Sequence, residues 1–229
     1  LVSVSNKTNL KKIVHYLEKE NYQIFSTGGT FNAISSMIKN PATVVNISSY
    51  INFPEICDGR VKTLHPKIFG GVLGKPENIE ELAEHDAHLF DLVVCNLYPF
   101  SDTVDLEKAK TVPDENNILS NIDIGGYSLI RAAVKNHEMV TVLTDPWTYD
   151  VYISMKNEHE CFKTINSYFA KQAINMLMKN SIEVNNWFNE EKGKIGTSYV
   201  KTGDLKYGMN PSQKPSSIYQ KNGRKKIYK

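Results

Sequence analysis

Asp91-Leu92-Val93-Val94-Cys95, running into Asn96-Leu97-Tyr98-Pro99, is the stretch on which the fold turns. A mostly apolar run without polar alternation suits a parallel strand covered on both faces. The segment therefore reads as a central strand, and its C-terminal edge from Asn96 as a place for a site. Upstream, Leu1 to Val4 reads as another buried strand, and Leu10, Ile13, Val14, Tyr16 and Leu17 recur at helical spacing. Ile24 and Phe25 mark a strand, Thr27-Gly28-Gly29-Thr30 a tight turn, and Phe31, Ile34 and Met37 a helix with Thr30 as its N-cap. Val44, Val45 and Ile47 make a third strand, and Phe53 to Pro66 has no clean period and reads as a long ordered loop.

Downstream, a polar stretch from Ser101 to Ser120 leads to Ile122-Asp123-Ile124-Gly125-Gly126. A helical run from Ser128 to Asn136 and a strand-like Met139 to Leu143 follow. From Trp147 to about Glu191 the pattern is mostly helical, with Phe162, Ile165, Tyr168, Phe169, Ala173, Ile174 and Met176 as apolar faces. This alternation predicts an α/β sheet with right-handed crossovers and sites at strand ends. Residues 1–192 form the expected domain, and the Gly-, Lys- and Ser-rich residues 193–229 read as a linker.

Composition narrows the function classes. At 229 residues the chain suits one main domain, and 41% hydrophobic with 23% charged residues excludes disordered and coiled-coil classes. No apolar run approaches the ~20 residues of a membrane span, and Leu1 opens on a strand-like stretch rather than a signal peptide. The opening without Met and the basic end at Arg224, Lys225, Lys226 and Lys229 read as a piece of something longer. Cys57, Cys95 and Cys161 lack disulfide-framework or zinc spacing, which fits a reducing cytosol. A formal net charge of +2 implies neither nucleic acid nor membrane, and points to a small-molecule partner.

Several segments carry chemistry and each has a plainer reading. Thr27 to Thr30 places bare backbone amides at a helix start, where a phosphate binds, yet a Gly-Gly pair serves turn geometry as often. Ser3-Val4-Ser5-Asn6-Lys7-Thr8 is either a polar helix cap or a second phosphate turn with Lys7 beside it. Gly59-Arg60-Val61-Lys62-Thr63-Leu64-His65-Pro66 is a solvated charged loop or a site where Arg60 forks a phosphate and Lys62 stabilises an oxyanion. His65 fits the fixing of loop shape better than catalysis. Asp123 and Lys135 flank a turn and helix as a structural ion pair, or as an acid–base pair if Lys135 is desolvated.

Taken in order, the Ser3 to Thr8, Thr27 to Thr30 and Gly59 to Pro66 segments lead into Cys95 to Phe100 (CNLYPF). Ile122 to Gly126 (IDIGG) and Arg131 to His137 (RAAVKNH) complete the series. Together they closely resemble the cyclohydrolase part of bifunctional purine biosynthesis proteins, over about residues 1–190. The resemblance implies a methylglyoxal-synthase-like three-layer α/β sandwich with a mostly parallel sheet. It also implies cyclodehydration of 5-formamidoimidazole-4-carboxamide ribotide to inosine monophosphate, with no cofactor or metal, in a cytosolic homodimer. Lys62 and Tyr98 then resemble groups near the formyl oxygen, and Asp123 and Lys135 the pair handling protons. Ser5, Asn6, Lys7, Thr27, Gly28, Gly29, Thr30, Arg60, Val61, Thr63, Cys95, Asn96 and Ile124 resemble the nucleotide-binding positions.

Leu205 to Gln213 resembles the opening of the second, formyl-transferring domain, with Lys206 where that pattern has Arg and Ser212 where it has His. That activity uses a 10-formyltetrahydrofolate cosubstrate and a later lysine–histidine segment, so this chain is not expected to transfer formyl groups. Asn6 stands where the family often has Asp. Two other readings fit the fold. A methylglyoxal synthase would use paired aspartates, and an effector-binding module like that of carbamoyl phosphate synthetase would keep phosphate contacts without Tyr98, Asp123 and Lys135.

Overall fold

A computed structural model of the chain describes residues 1–158, 161–189, 196–205 and 216–221. Leu92–Asn96 is indeed a strand, and all five of its residues are buried. In chain order the elements of the first unit begin with β1 (Val2–Val4), α1 (Leu10–Lys19), β2 (Ile24–Ser26), α2 (Gly28–Ser35), β3 (Val44–Asn46) and α3 (Ile47–Ile51). There follow α4 (Pro66–Leu73), α5 (Ile79–Glu84), β4 (Leu92–Asn96), α6 (Phe100–Lys108), α7 (Glu115–Ser120), α8 (Gly125–Lys135), β5 (Thr141–Leu143) and α9 (Tyr149–Asn157). α10 (Phe162–Phe188) begins in this unit, which extends from Leu1 to Leu177.

The five strands lie in the order β3-β2-β1-β4-β5, and each neighbouring pair is parallel. Side chains alternate across a strand, and the core divides accordingly. Leu92 and Val94 join Val2, Val4, Leu10, Ile13, Ile34, Tyr149 and Tyr152 on one face. Val93 and Cys95 join Phe25, Ile47, Ile51, Ile68, Val72, Leu129 and Ile130 on the other. Helices α1, α2 and α9 therefore cover one face and α3, α4 and α8 the other, which makes a three-layer α/β sandwich. α10 contributes Ile165 and Phe169 to the first cluster and Ala170, Ala173 and Leu177 to the second. Each fully buried side chain of this kind adds about 1.5–3 kcal/mol before entropy is counted.

Boundaries shift from the sequence reading for local reasons. Thr27, not Thr30, is the N-cap of α2, because Thr30 turns its hydroxyl back onto Val4. Ile47 opens α3 instead of ending β3, since Asn46 caps that helix by accepting the Ser48 N–H. α8 starts at Gly125, ahead of the expected Ser128. The polar stretch from Ser101 to Ser120 holds α6 and α7, with Asp114 accepting the N–H groups of Asn116 and Asn117 as the cap of α7.

The second unit runs from Met178 onward. Where the sequence reads as a linker, β6 (Tyr199–Leu205) and β7 (Ser216–Lys221) pair antiparallel, with a register shift between Lys201 and Gly203. Residues 206–213, which carry most of the resemblance to a second domain, lie outside the described residues.

Close packing of α4 generates a test. A Cβ on Gly71 would stand 2.2 Å from the His88 carbonyl oxygen and 2.7 Å from the Phe90 ring. Gly71→Ala should therefore destabilise at the upper end of the about 1–3 kcal/mol typical of overpacking, read as a lowered urea midpoint with unchanged slope.

Candidate functional site

The strand order reverses between β1 and β4, so the chain leaves their C-terminal ends in opposite directions and opens a crevice there. A cavity of about 790 Å³ occupies it. Ser3, Val4, Ser5 and Lys7 line one wall, with Thr27, Gly29 and Thr30 beside them. Two hydroxyls lock this corner. Thr30 Oγ1 accepts the Val4 N–H at 3.2 Å and donates to the Val4 carbonyl at 3.0 Å, and Ser3 Oγ pairs with Thr27 Oγ1 at 3.0 Å. Because Thr27 spends its hydroxyl on Ser3, it makes no side-chain cap on α2. The Thr30 N–H goes to the Thr27 carbonyl at 2.9 Å, whereas the Gly28 and Gly29 amides have no side-chain cap; a Cβ on Gly29 would meet nothing within 4 Å, and one on Gly28 would stand 3.0 Å from Glu55 Oε1. Such an uncapped helix start with a lysine beside it suits an anion.

The long loop from Phe53 to Pro66 is ordered by an isolated bridge, in which Ile56 and Val61 exchange backbone hydrogen bonds. Between them Cys57, Asp58 and Gly59 all have positive φ, at 55°, 57° and 78°. Two consecutive non-glycine residues in that region store strain, a feature that clusters at functional sites. The turn aims Arg60, whose Nε donates to the Cys57 carbonyl at 2.9 Å and whose guanidinium lies 3.5 Å from Asp58. That pair is exposed and weak, so an incoming anion can displace Asp58. Further along, His65 caps α4 by accepting the Lys67 N–H on Nδ1, which fits the loop-shaping reading.

The floor of the cavity forms where this loop meets the start of α8. A Cβ on Gly125 would stand 3.0 Å from Thr63 Oγ1, and one on Gly126 would stand 2.8 Å from Asp123 Oδ2. The glycine pair thus lets the loop and the Asp123 carboxylate close onto the helix. Asp123 Oδ1 accepts the Gly126 N–H at 2.7 Å, and the carboxylate also takes the N–H groups of Tyr98 and Tyr127. Burial pushes the Asp123 carboxyl above its usual range, outweighing the Gly126 amide, the Lys62 charge and the other amides, which pull it down. Burial likewise raises the Cys95 thiol, with Asp123 adding to the rise and Lys62 opposing it, so Cys95 stays a protonated wall group and not a nucleophile.

A further wall comes from α7, through Asn116, Leu119 and Ser120. α7 is tied to α6 by Glu107, a buried carboxylate that accepts from Lys110 Nζ at 2.6 Å, Asn117 Nδ2 at 2.6 Å and the Asp114 N–H at 2.9 Å. These partners, led by Lys110, lower its pKa to about 2.

The structure brings Ser5, Lys7, Thr27, Gly29, Thr30, Arg60, Lys62, Thr63, Cys95, Asn96, Tyr98, Asp123 and Ile124 to one cavity. Asn6, Gly28 and Val61 stand behind its lining, and their side chains or backbone shape the turns. Lys135 does not join them. It ends the eleven-residue helix α8, which starts at Gly125 just past Asp123 and at about 1.5 Å per residue sets Lys135 some 15 Å from that start. It is exposed, and the charge acting on Asp123 is that of Lys62. Ser3, Val4, Asp58, Gly59, Asn116, Leu119, Ser120, Ile122, Gly125 and Gly126 complete the lining without having been singled out as contacts. For α7 the available signal was the Pro113-Asp114 helix start.

Comparison with known proteins bears on the family and the fold. Residues 9–128 match the MGS-like domain family, and residues 133–229 match the AICARFT/IMPCHase bienzyme family. The bifunctional purine biosynthesis protein PurH of Prochlorococcus marinus subsp. pastoris is 39% identical over 222 residues, 93% of this chain and 41% of that protein. Its namesake from a Thermoanaerobacter species is 40% identical over 230 residues, covering 93% and 42%. The chain thus spans about two fifths of the length of these curated relatives. Among solved structures, that titled "Crystal structure of ForH" aligns at a TM-score of 0.66 and 25% identity, over 82% of this chain and 96% of that one.

The Glu107 clamp makes acid sensitivity testable. Its folded-state pKa of about 2 lies below the unfolded value of about 4.3. Its stabilisation is therefore fully present above that unfolded value and fades as pH falls toward 2. Urea midpoints of the wild type and Glu107→Gln should differ at pH 6, and that difference should shrink progressively as pH falls from about 4 to 2.5. A constant difference across that range would show that the Glu107 charge contributes nothing.

Proposed function

The chain belongs to the MGS-like domain family, in the branch of the AICARFT/IMPCHase bienzymes; from that premise we propose that it is an inosine monophosphate cyclohydrolase acting on 5-formamidoimidazole-4-carboxamide ribotide. The observation that carries this reading is the polarity of the cavity: an anion corner at one end and a Lys62–Asp123 pair at the other. The 5′-phosphate sits against Lys7, the open amides of α2 and the Arg60 fork. That leaves the base over Lys62, Tyr98 and Asp123.

The carboxamide nitrogen attacks the formyl carbon, a C–N bond forms, and the carbonyl π pair moves onto the formyl oxygen. The Lys62 ammonium, with Tyr98 at the rim, stabilises that charge. Asp123, held in a site that disfavours its ionised form, accepts the amide proton. That proton passes from Asp123 to the oxyanion, which restores the carboxylate and gives a ring carbinol; the carbinol then loses its hydroxyl together with a proton from the adjacent ring nitrogen, as water, and the purine is complete.

Lys135 enters from a second copy. In its own subunit it lies out of reach, while Tyr98, Leu119 and Ile124 remain exposed at the cavity rim, Ile124 at 59%. A symmetric dimer that covers these groups can bring the partner's α8 end to the site. No cofactor is required by this chemistry, and formyl transfer from 10-formyltetrahydrofolate is assigned to the longer relatives' second activity. Cytosolic purine synthesis is the setting that fits.

Absorbance-monitored ring closure, without folate or added metal, should show turnover in the wild type. Lys62→Ala and Asp123→Asn should each lower kcat by about 10²-fold or more, and Lys135→Ala should also inactivate. Mixing inactive Lys62→Ala with inactive Lys135→Ala should restore about a quarter of wild-type activity through mixed dimers. No restoration, with exchange of subunits verified, would place Lys135 outside the partner's site.

A further inference from the structure

Asn96 lines the cavity at the end of β4, yet its side chain faces protein backbone. Its Oδ1 accepts the N–H groups of Ser5 at 2.8 Å and Asn6 at 2.9 Å, and its Nδ2 donates to the Asn6 carbonyl at 2.9 Å. β1 pairs with β4 up to Val4 opposite Asn96 and then leaves the sheet. At that point a side-chain amide replaces the missing strand partner. Asn6 closes the turn from the other side, its Oδ1 accepting the Thr8 N–H at 2.9 Å. The Ser5 and Asn6 amides, the Asn6 carbonyl and the Thr8 amide that flank Lys7 are therefore fixed before any ligand arrives.

We propose that Asn96 is a positioning residue: it clamps the Ser5–Asn6 turn so that Lys7 is presented to the substrate phosphate, and it does not itself contact the purine ring. The proposal deepens the cyclohydrolase reading and rests on it for the identity of the phosphate-bearing ligand. Two consequences follow from the geometry. The amides of Ser5 and Asn6 are consumed by Asn96 and so are not offered to the phosphate, and this turn presents the Lys7 ammonium and the Ser5 hydroxyl instead. Loss of Asn96 acts through Lys7, so the two residues must be coupled energetically.

The experiment is a double-mutant cycle of Asn96→Ala and Lys7→Ala, with ring-closure kinetics and calorimetric binding of inorganic phosphate as readouts. Asn96→Ala should raise KM at least about tenfold with kcat within about threefold, the signature of lost uniform binding. The double variant should be no worse than the poorer single variant. A fall in kcat at unchanged KM would overturn the proposal, because Asn96 would then act at the reacting base. Multiplying effects would overturn it as well, since independent sites add in free energy. Should Asn96→Ala fail to fold, Asn96→Asp keeps both accepted hydrogen bonds, and its KM effect must likewise vanish in the Lys7→Ala background. If the wild type does not turn over the ribotide, the cyclohydrolase reading fails, and phosphate binding by the same variants still decides the role of Asn96.

Discussion

A parallel strand that leaves its sheet strands its last backbone groups, and in this fold that happens twice at one place. β1 and β4 lie side by side, and their outgoing chains part in opposite directions. The N–H and C=O groups at the parting cannot stay unpaired without a cost comparable to a lost hydrogen bond. The molecule answers with side chains. Thr30 bridges Val4, Asn96 takes the Ser5 and Asn6 amides, and Asp123 takes those of Gly126, Tyr98 and Tyr127. Each such clamp fixes a turn, and each turn carries a group of the cavity.

The same constraint sets the electrostatics. With Thr27 paired to Ser3 and Asn96 paired to the first turn, the positive end of α2 and Lys7 remain for an anion. At the opposite end the burial that packs α8 onto β4 also raises the Asp123 carboxyl and the Cys95 thiol. A wall made by α7 stands or falls with Glu107, whose charge is held by Lys110, Asn117 and the Asp114 amide. Local packing and local chemistry are thus one arrangement.

Much of this was readable in the sequence, and the exceptions share a cause. The buried strand at Leu92–Asn96, the turns at Lys7 and Gly28-Gly29, and the Lys62 loop are local patterns, and the structure converges them on one crevice. Hydroxyl partners were not readable, because Thr27 and Thr30 bond to residues on another strand. The hold of Asn96 on the first turn was not readable either, since its partners, Ser5 and Asn6, lie 91 and 90 positions away. Asp123 and Lys135 were legible as the two ends of a turn and helix, and the eleven residues of α8 hold them apart within one chain. The pairing of β6 with β7 was hidden by a composition that suits a linker equally well.

The central claim is that a purine ribotide lies in this crevice with its phosphate at Lys7 and its base at Lys62 and Asp123. A crystal structure with bound inosine monophosphate tests it most directly. The account predicts the phosphate between Lys7 and the start of α2, and the pyrimidine half of the purine ring against Lys62 and Asp123. A nucleotide bound elsewhere, or lying in the crevice with its phosphate on Lys62 and its base at Lys7, would contradict it.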